Sequence, residues 1–315
     1  MIERLSVARI RLEAVAETPL LLPDYAGSTL RGAFGGALRR IACMTRQPEC
    51  DGCPLLQTCP YAVIFETAPP PDGMLLQKFS EVPRPYVIEP PEWGSRRWQA
   101  GEPFLFHLVL IGRALHSLPL IMLAWQQALA RGIGASDGRA RLLRAIWESS
   151  GGDIQVYDGA TGKAEPVMPQ PAQIECGRTR SVTLEFFSPL RLQQNGRALG
   201  ADRVAARTLI AALCRRASLL ETFHGGGAPA YDFPALLSAA ESLQEHRDLE
   251  WRDWTRRSSR QQRAMQFGGL LGTWRLQGSG AAMSNLLPYL HAGQWLHVGK
   301  EATFGMGGYR LQQEP

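Results

Sequence analysis

The sequence predicts an α+β protein made of two tandem domains, and three observations lead to this fold class. Its 315 residues exceed what one hydrophobic core usually organises, and its 45% hydrophobic content is ample for folded interiors. Segments with strand period and segments with helical period follow one another in both halves. Residues 158–177 lie between the halves, are dense in glycine and proline, and lack any apolar period. The sequence therefore predicts domains at residues 1–165 and 166–315.

The N-terminal half begins with a strand that is followed by a helix. Arg9, Arg11 and Glu13 alternate with apolar residues, which is the period of a half-buried strand and not the apolar run of a signal peptide. Residues 25–43 then carry apolar side chains at helical spacing. The remaining elements of this half are a strand at 101–114, a helix from residue 117, and two short strands at 144–148 and 153–158.

The first predicted helix carries an unusual number of glycines. Gly32, Gly35 and Gly36 each weaken a helix by about 1 kcal/mol relative to alanine, so we expect the close approach of another backbone to compensate. Arg31 and Arg39 on the same helix could reach a phosphate. Arginines on a helix surface are more commonly just solvated, and both interpretations stay open.

The C-terminal half has the order strand, helix, strand, strand, helix, strand. This is the order of a ferredoxin-like domain, and the N-terminal half fits it as well. Two tandem ferredoxin-like domains are therefore expected. The elements predicted here are a strand at 181–192, a helix at 202–222, a glycine-rich break at 223–229, a second helical run at 233–248, a strand at 267–278, a short helix at 283–293, and strands at 294–299 and 304–311.

The positive charge of the chain comes almost entirely from arginine. The net charge is +5, and only three of the 34 basic residues are lysines. Guanidinium groups grip phosphates at two points and stack on bases, so this composition favours a nucleic-acid partner. A coding bias from GC-rich DNA explains the same composition.

Tryptophans are interleaved with arginines in residues 251–263. Trp251 and Trp254 stand among five arginines in this stretch. Single-stranded RNA recognition uses such a combination, because bases stack on the rings while phosphates are neutralised. A solvated basic loop with two core tryptophans is the competing interpretation.

Four of the six cysteines are clustered. Cys43, Cys50, Cys53 and Cys59 leave six, two and five residues between successive sulfurs. No stretch is long enough to cross a membrane, so we expect a reducing, cytoplasmic location in which a disulfide framework is rare. A short C-x2-C turn with two further thiolates predicts a structural zinc site. An iron–sulfur cluster and a cluster without metal are the alternatives.

Several segments in order resemble one family. They are "GSTLRGAFGGALRR", the cysteine segment ending in "CPYAVIFE", "LIGRA", "SRQQRAMQFGGLLG" and "WLHVGKEATFGMGGY". Together they resemble the CRISPR-associated endoribonuclease that processes precursor crRNA, a member of the RAMP superfamily. The last segment has the form G-x-G-x5-G-x-G, except that His297 occupies the first glycine position.

The resemblance implies an activity and its partners. Repeat RNA would be cleaved without a catalytic metal by attack of a 2′-hydroxyl, leaving a cyclic phosphate and a 5′-hydroxyl. The expected partners are the CRISPR repeat RNA hairpin, the crRNA, which would be retained, and other subunits of a type III or type IV effector complex. Family members often carry a catalytic histidine near the first helix, whereas the first histidine here is His107, in a predicted strand.

Candidate residues follow from the chemistry and from the glycine loop. His224, in a loop predicted to be accessible, is the candidate base or acid, with Tyr25 as a substitute, and Lys300 and Arg31 would stabilise the phosphorane. A site that relies on arginine instead of histidine would be slow. Side chains and backbone predicted to bind RNA are Gly299, Gly305, Gly307, Arg39, Arg215, Arg256, Arg257, Arg260 and Arg263.

Two other functions compete with this one. A RAMP subunit that binds crRNA without cutting it explains the basic surface and the glycine loop equally well. The cysteine cluster could also be a redox or metal-catalytic centre, although the resemblance gives it no such role.

Overall fold

The computed structural model describes residues 5–67, 82–91, 93–94, 96–169, 179–227, 231–257 and 264–314. The chain divides into two compact units. The N-terminal unit comprises Leu5–Gln170 together with Thr222–Gly227. The C-terminal unit comprises Pro171–Glu221 and Ala228–Pro315, with Met1–Arg4. None of the described helices has the length and apolar character needed to span a bilayer.

The N-terminal unit is a six-stranded antiparallel sheet with two long helices on one face. The strand order is β3-β5-β1-β6-β7-β8, and β2 pairs with β4 in a separate ribbon. The elements are β1 (Val7–Ala16), β2 (Leu20–Leu22), α1 (Gly27–Ala42), α2 (Pro60–Ile64), β3 (Tyr86–Glu89), β4 (Arg96–Trp98), β5 (Pro103–Ile111), α3 (Leu118–Arg131), β6 (Ala140–Ser149), β7 (Gly152–Asp158) and β8 (Lys163–Ala164).

The core of the N-terminal unit explains one of the glycines in α1. Phe34 of α1 stacks on Trp125 of α3, with ring centroids 5.1 Å apart. A Cβ atom at Gly35 would lie 2.1 Å from the ring of Phe65, so only glycine fits there. The predicted close approach therefore exists, but an aromatic ring makes it and not another backbone. Gly32 faces open space.

The C-terminal unit is a four-stranded antiparallel sheet in the order β12-β13-β9-β14. The chain follows the order strand, helix, strand, strand, helix, strand, with α5 inserted after the first helix. Its elements are β9 (Ser181–Leu190), β10 (Gln193–Gln194), β11 (Arg197–Ala198), α4 (Ala206–His224, of which residues 222–224 are grouped with the N-terminal unit), α5 (Phe233–Glu241), β12 (Gln244–Arg257), β13 (Ala264–Gln277), α6 (Gly280–Leu296) and β14 (Tyr309–Glu314).

Both sheets share one topology. Four strands of each sheet correspond in chain order, β1, β3, β5 and β6 in the N-terminal unit and β9, β12, β13 and β14 in the C-terminal unit. In both sets the first of the four is central and lies between the third and the fourth, and the second lies beyond the third. This is the ferredoxin-like arrangement, and the N-terminal sheet adds β7 and β8 at one edge. The predicted α+β class with two ferredoxin-like units is confirmed.

Two predicted elements of the C-terminal half are wrong. The helix predicted to reach residue 248 ends at Glu241, because the following residues pair with β13 along a fourteen-residue ladder that overrides their helical propensity. The strand predicted at 294–299 is instead the last turn of α6, which continues to Leu296. His297 ends that helix by adopting a φ of +56°.

Candidate nucleic-acid interface

The face of the N-terminal sheet that points away from α1 and α3, called its open face below, is buried at Val87 and Val109 and elsewhere carries charged side chains that neutralise one another. Glu148 of β6 accepts hydrogen bonds from Arg9 and from Arg11, the latter at 2.7 Å, and lies 3.3 Å from His107 Nε2. Arg9 also pairs with the buried Glu89 at 2.8 Å. Arg9, Arg11, Glu89, His107 and Glu148 are called the Glu148 network below. Its carboxylates leave little positive charge for a phosphate.

The start of α1 holds two of the predicted catalytic residues inside the N-terminal unit. Arg31 Nε donates to the Tyr86 hydroxyl at 3.1 Å, and its guanidinium carbon lies 4.3 Å from the centre of the Phe65 ring. Tyr25 is buried against Trp93, with ring centroids 5.4 Å apart. Burial, and then the charge of a nearby carboxylate, raises the pKa of the Tyr25 hydroxyl well above its usual range. Tyr25 is therefore poorly suited to accept a proton.

His224 is not in an accessible loop, and that part of the prediction is wrong. It is the last residue of α4 and is 2% exposed. Its Nε2 lies 2.8 Å from the carbonyl oxygen of Pro83. Gly112, with a φ of +55°, approaches the His224 backbone so closely that a Cβ would lie 1.9 Å from the His224 carbonyl oxygen. This environment favours a packing role for the imidazole.

The glycine-rich loop is folded tightly against the C-terminal unit. Gly299, Gly305 and Gly307 all have positive φ, and a Cβ at Gly307 would lie 1.8 Å from the Val298 carbonyl oxygen. The amide groups of Lys300, Gly305 and Gly307 each donate to a carbonyl oxygen of the same unit at 2.9 Å. These three amides are used internally, so they do not form the bare cradle expected for a phosphate. The loop instead projects the exposed Lys300 side chain.

His297 explains the departure from the glycine pattern. Its imidazole is fully buried inside the loop, and its Nδ1 lies 3.0 Å from the Gly305 carbonyl oxygen and 3.2 Å from that of Met306. The side chain therefore holds the two ends of the loop together. A glycine at this position would supply the φ of +56° without strain but would lack that hydrogen bond.

The two tryptophans of β12 have different environments. Trp251 is 37% exposed and its Nε1 donates to Asp253 at 2.8 Å, whereas Trp254 is 9% exposed. Arg191, which binds the Gly268 carbonyl oxygen at 2.7 Å, places its guanidinium carbon 5.8 Å from the centre of the Trp251 ring. Each earlier interpretation therefore fits one of the two tryptophans. Arg256 and Arg257 end β12, and Arg260 and Arg263 lie outside the described residues.

An aromatic residue that was not among the predicted RNA-binding residues lies on the sheet next to the glycine loop. Phe187 of β9 is 41% exposed, while its neighbour Phe186 is buried. A Cβ at Gly308 would lie 2.5 Å from the Phe187 ring, which shows how closely that ring covers the loop. The signal was present in the sequence, because successive residues of a strand face opposite sides and two consecutive phenylalanines cannot both be buried on one face.

The other arginines predicted to bind RNA are divided between structure and surface. Arg39 donates to the Gln47 carbonyl oxygen at 2.5 Å and to the Pro48 carbonyl oxygen at 2.7 Å, so it anchors the cysteine segment. Arg215 is exposed on α4. The adjacent Arg216 turns inward to the Leu296 carbonyl oxygen at 2.6 Å, and burial lowers its pKa to about 10.

The cysteine cluster has the ligands of a metal site without the geometry of one. The sulfur-bearing residues Cys43, Cys50, Cys53 and Cys59 all line one cavity of about 10 Å³. Thr45 Oγ1 lies 3.9 Å from Cys43 Sγ and 3.5 Å from Cys53 Sγ. Within the described ranges, no three cysteine, histidine or carboxylate side chains are grouped closely enough to hold a metal ion. An ion would have to draw the four sulfurs together, and zinc stays a prediction.

Two family models cover most of the chain. One, described as an N-terminal domain, matches residues 5–169, and that of the CRISPR-associated endoribonuclease Cas6 matches residues 184–309. The second match includes the whole glycine-rich loop. An uncharacterised protein of Archaeoglobus fulgidus is 25% identical over 300 residues, which cover 92% of this chain and 93% of the relative.

Solved structures share the fold at low identity. A Cas6 product complex matches with a TM-score of 0.59 and 18% identity, over 97% of this chain and all of the other. Thermus thermophilus Cas6 matches with a TM-score of 0.53 and 17% identity, over 98% of this chain and 99% of the other. A partial Cas6–RT–Cas1–Cas2 complex matches with a TM-score of 0.57 and 14% identity, over the whole of this chain and 47% of the other. At these identities the likeness concerns the fold alone.

Proposed function

Residues 184–309 match the Cas6 family model, and from this premise we propose that the chain is a Cas6-like endoribonuclease of the RAMP superfamily that cuts CRISPR repeat RNA into crRNA. The observation that carries the proposal is the Cas6 match over residues 184–309, which includes the tightly folded glycine loop and its exposed Lys300. The arginine-rich composition agrees with an RNA substrate.

The proposed chemistry is an internal transfer at one phosphodiester. The ribose 2′-hydroxyl loses its proton and attacks the adjacent phosphorus, and the bond to the 5′-oxygen breaks as that oxygen gains a proton. A cyclic phosphate and a 5′-hydroxyl result. Lys300 would offset the charge that develops on the phosphorane, because its ammonium group is the only one of the four predicted catalytic groups that is exposed. With His224 and Tyr25 buried, we expect slow catalysis without a histidine base.

A cleavage assay in chelator tests this function. The purified protein is incubated in excess over labelled repeat RNA in EDTA, and the products are resolved with their end groups identified. Cleavage at one position with cyclic phosphate and 5′-hydroxyl ends is the expected result. A 2′-deoxy substitution at the nucleotide before that position should abolish cleavage and leave binding intact, since it removes only the nucleophile.

A crRNA-binding RAMP subunit without activity is the second candidate function. The burial of His224 and Tyr25 favours it, because neither group then meets a substrate. The same assay separates the two candidates. Tight binding of the repeat with no product, with and without added Mg²⁺, would establish the silent subunit and exclude the enzyme.

We further propose that the product stays bound and that other Cas subunits assemble on it. A nuclease that retains its crRNA needs few turnovers, which agrees with slow chemistry. Size-exclusion chromatography after cleavage tests retention: the crRNA should elute with the protein, and release of free crRNA at physiological salt would reject it.

A structural zinc ion in the cysteine cluster is also proposed, on the strength of four thiols around one cavity. No step of the cleavage depends on it. Metal analysis of the purified protein should find about one zinc per chain, lost in Cys50→Ser/Cys53→Ser and kept in the control Cys214→Ala. Iron with sulfide would instead indicate a cluster, and no metal would reject both.

A further inference from the structure

We propose that Phe187 is a stacking platform for one unpaired base of the RNA, next to the glycine-rich loop. The inference rests on the proposed RNA substrate and adds a base-contacting residue to it. Neither the charge pattern nor the glycine motif points to this side chain.

Phe187 lies at the centre of the C-terminal sheet. It lies on β9, a central strand of the order β12-β13-β9-β14, and faces away from the side to which Phe186 is buried. Four-stranded sheets with alternating helices bind single-stranded RNA by stacking bases on aromatic rings of their central strands. The Phe187 ring occupies that kind of position.

The Phe187 ring is held in place by the glycine-rich loop. It covers Gly308, where a Cβ would come within 2.5 Å of it, and meets the buried His297 ring edge to face, with centroids 5.8 Å apart and planes at 78°. One part of the ring is therefore fixed by the loop while 41% of the residue stays exposed. Because the ring is already ordered, a stacking base costs little side-chain entropy.

Positive charge next to the Phe187 ring identifies the occupant as a nucleotide. The exposed Arg310 of β14 places its guanidinium carbon 6.0 Å from the centre of the Phe187 ring, and Lys300 belongs to the loop that the ring covers. Cations beside an aromatic ring suit a nucleotide, which brings a π face and a phosphate together. Leu105, on the open face of the N-terminal sheet, is 46% exposed but lies opposite the acidic Glu13, so it makes a matched control.

The test measures stacking directly. Repeat RNAs carrying 2-aminopurine at single unpaired positions are titrated with the protein, and quenching of their fluorescence reports stacking. We expect one position to be quenched strongly by the wild type and by Phe187→Trp, and weakly by Phe187→Leu, which keeps an apolar contact with the loop. Leu105→Ala should behave as the wild type does.

Affinity measurements complete the test. Phe187→Ala should bind repeat RNA about 5- to 100-fold more weakly, with an unchanged salt dependence because no charge is removed. Arg310→Gln should weaken binding and lower the salt slope by about one. Thermal melting of each variant checks that it is folded.

The possible outcomes separate the stacking platform from the proposed nuclease function. If the wild type binds and cuts the repeat but Phe187→Leu quenches and binds as the wild type does, the platform is rejected while the nuclease stands. If the wild type does not bind repeat RNA at all, the proposed function and the platform that rests on it are both rejected. Equal losses in Phe187→Leu and Leu105→Ala would show a general effect of apolar surface and would also reject the platform.

Discussion

The two ferredoxin-like units have the same strand order and opposite surface chemistry. In the N-terminal unit the open face of the sheet carries the Glu148 network, in which carboxylates bind the arginines. In the C-terminal unit the corresponding central strand carries the exposed Phe187, with Arg310 on the adjacent strand and Lys300 on the glycine loop. Shared topology therefore does not imply a shared role. On the first face the arginines are already neutralised by carboxylates, whereas on the second face Phe187 and Arg310 are exposed.

The difference originates in short alternating patterns. On β1, Arg9 and Arg11 share the open face with Glu13, so charges of both signs meet on neighbouring positions. On β9 the corresponding positions include Glu185 and Phe187, and the strand pairs Arg310 with Glu185.

The largest expected effect concerns the exposed lysine of the C-terminal unit. Lys300→Ala should lower the single-turnover cleavage rate about 100-fold, which is typical of removing one preorganised charge from a transition state. Stability should not change, because the side chain is exposed. Lys163→Ala is the matched control, since Lys163 is an exposed lysine of β8 in the other unit. Rates that fall equally in both variants, or in neither, would remove Lys300 from the site.

The glycine loop provides the next test. Gly307→Ala forces a side chain into a φ of +72° and against the Val298 carbonyl oxygen, so we expect a loss of about 2 to 4 kcal/mol in the free energy of unfolding. Gly280→Ala, at the start of α6 with open space around it, should be neutral or stabilising by about 0.5 kcal/mol. Urea unfolding of the two variants makes the comparison, and equal stabilities would contradict the loop geometry.

Removing a charge from the Glu148 network should separate stability from RNA binding. Glu148→Gln weakens the contacts of this side chain with two arginines, so the free energy of unfolding should fall by about 1 to 3 kcal/mol. The affinity for RNA should stay within a factor of two of the wild type. Glu17→Gln removes only an exposed pair with Arg141 and should change stability by less than about 0.5 kcal/mol. A strong gain or loss of RNA affinity in Glu148→Gln would show that the N-terminal sheet also meets the RNA.

The smallest expected effect is a pH dependence from His107. Burial, and then the charge of Arg9, lowers the pKa of His107 below its usual value of 6.5. Below pH 6.5 the unfolded chain therefore binds more protons than the folded one. The contribution of the neutral His107 to stability is fully present above pH 6.5 and is lost as the pH drops towards the folded pKa. Urea unfolding at pH 7.5 and 5.5 should show a smaller loss in His107→Gln than in the wild type. An equal loss in both would assign the dependence to other groups.

Sequence patterns predicted the elements that rest on local periodicity. The alternation in β1, the amphipathic period of α1 and the glycine spacing of the loop each led to an element or turn that the structure contains. The predicted strand at 294–299 failed because helix and strand periods are hard to separate in a short apolar run. The short strands β2, β3 and β4 were not predicted, because three or four residues are too few to show the alternation of a strand.

The candidate site was less predictable than the fold. His224 follows a basic helix and precedes three glycines, which suggested an accessible loop, yet long-range contacts with Pro83 and Gly112 bury it. Arg39 binds carbonyl oxygens eight and nine residues further along the chain, whereas Arg31 is used by the distant Tyr86. Sequence spacing gives no information on such contacts, because they join residues that only folding brings together.

By itself the sequence determined the two-domain organisation, the arginine-based charge, the cysteine cluster and the glycine spacing of the loop at residues 297–308, since each depends on neighbouring residues or on composition. The tertiary structure alone decided which charges are neutralised and which are exposed. It buried Tyr25 and His224, bound Arg9 and Arg11 to carboxylates, and left Phe187 in solvent. Burial and ion pairing set the reactivity of a side chain, and both are properties of the packed chain.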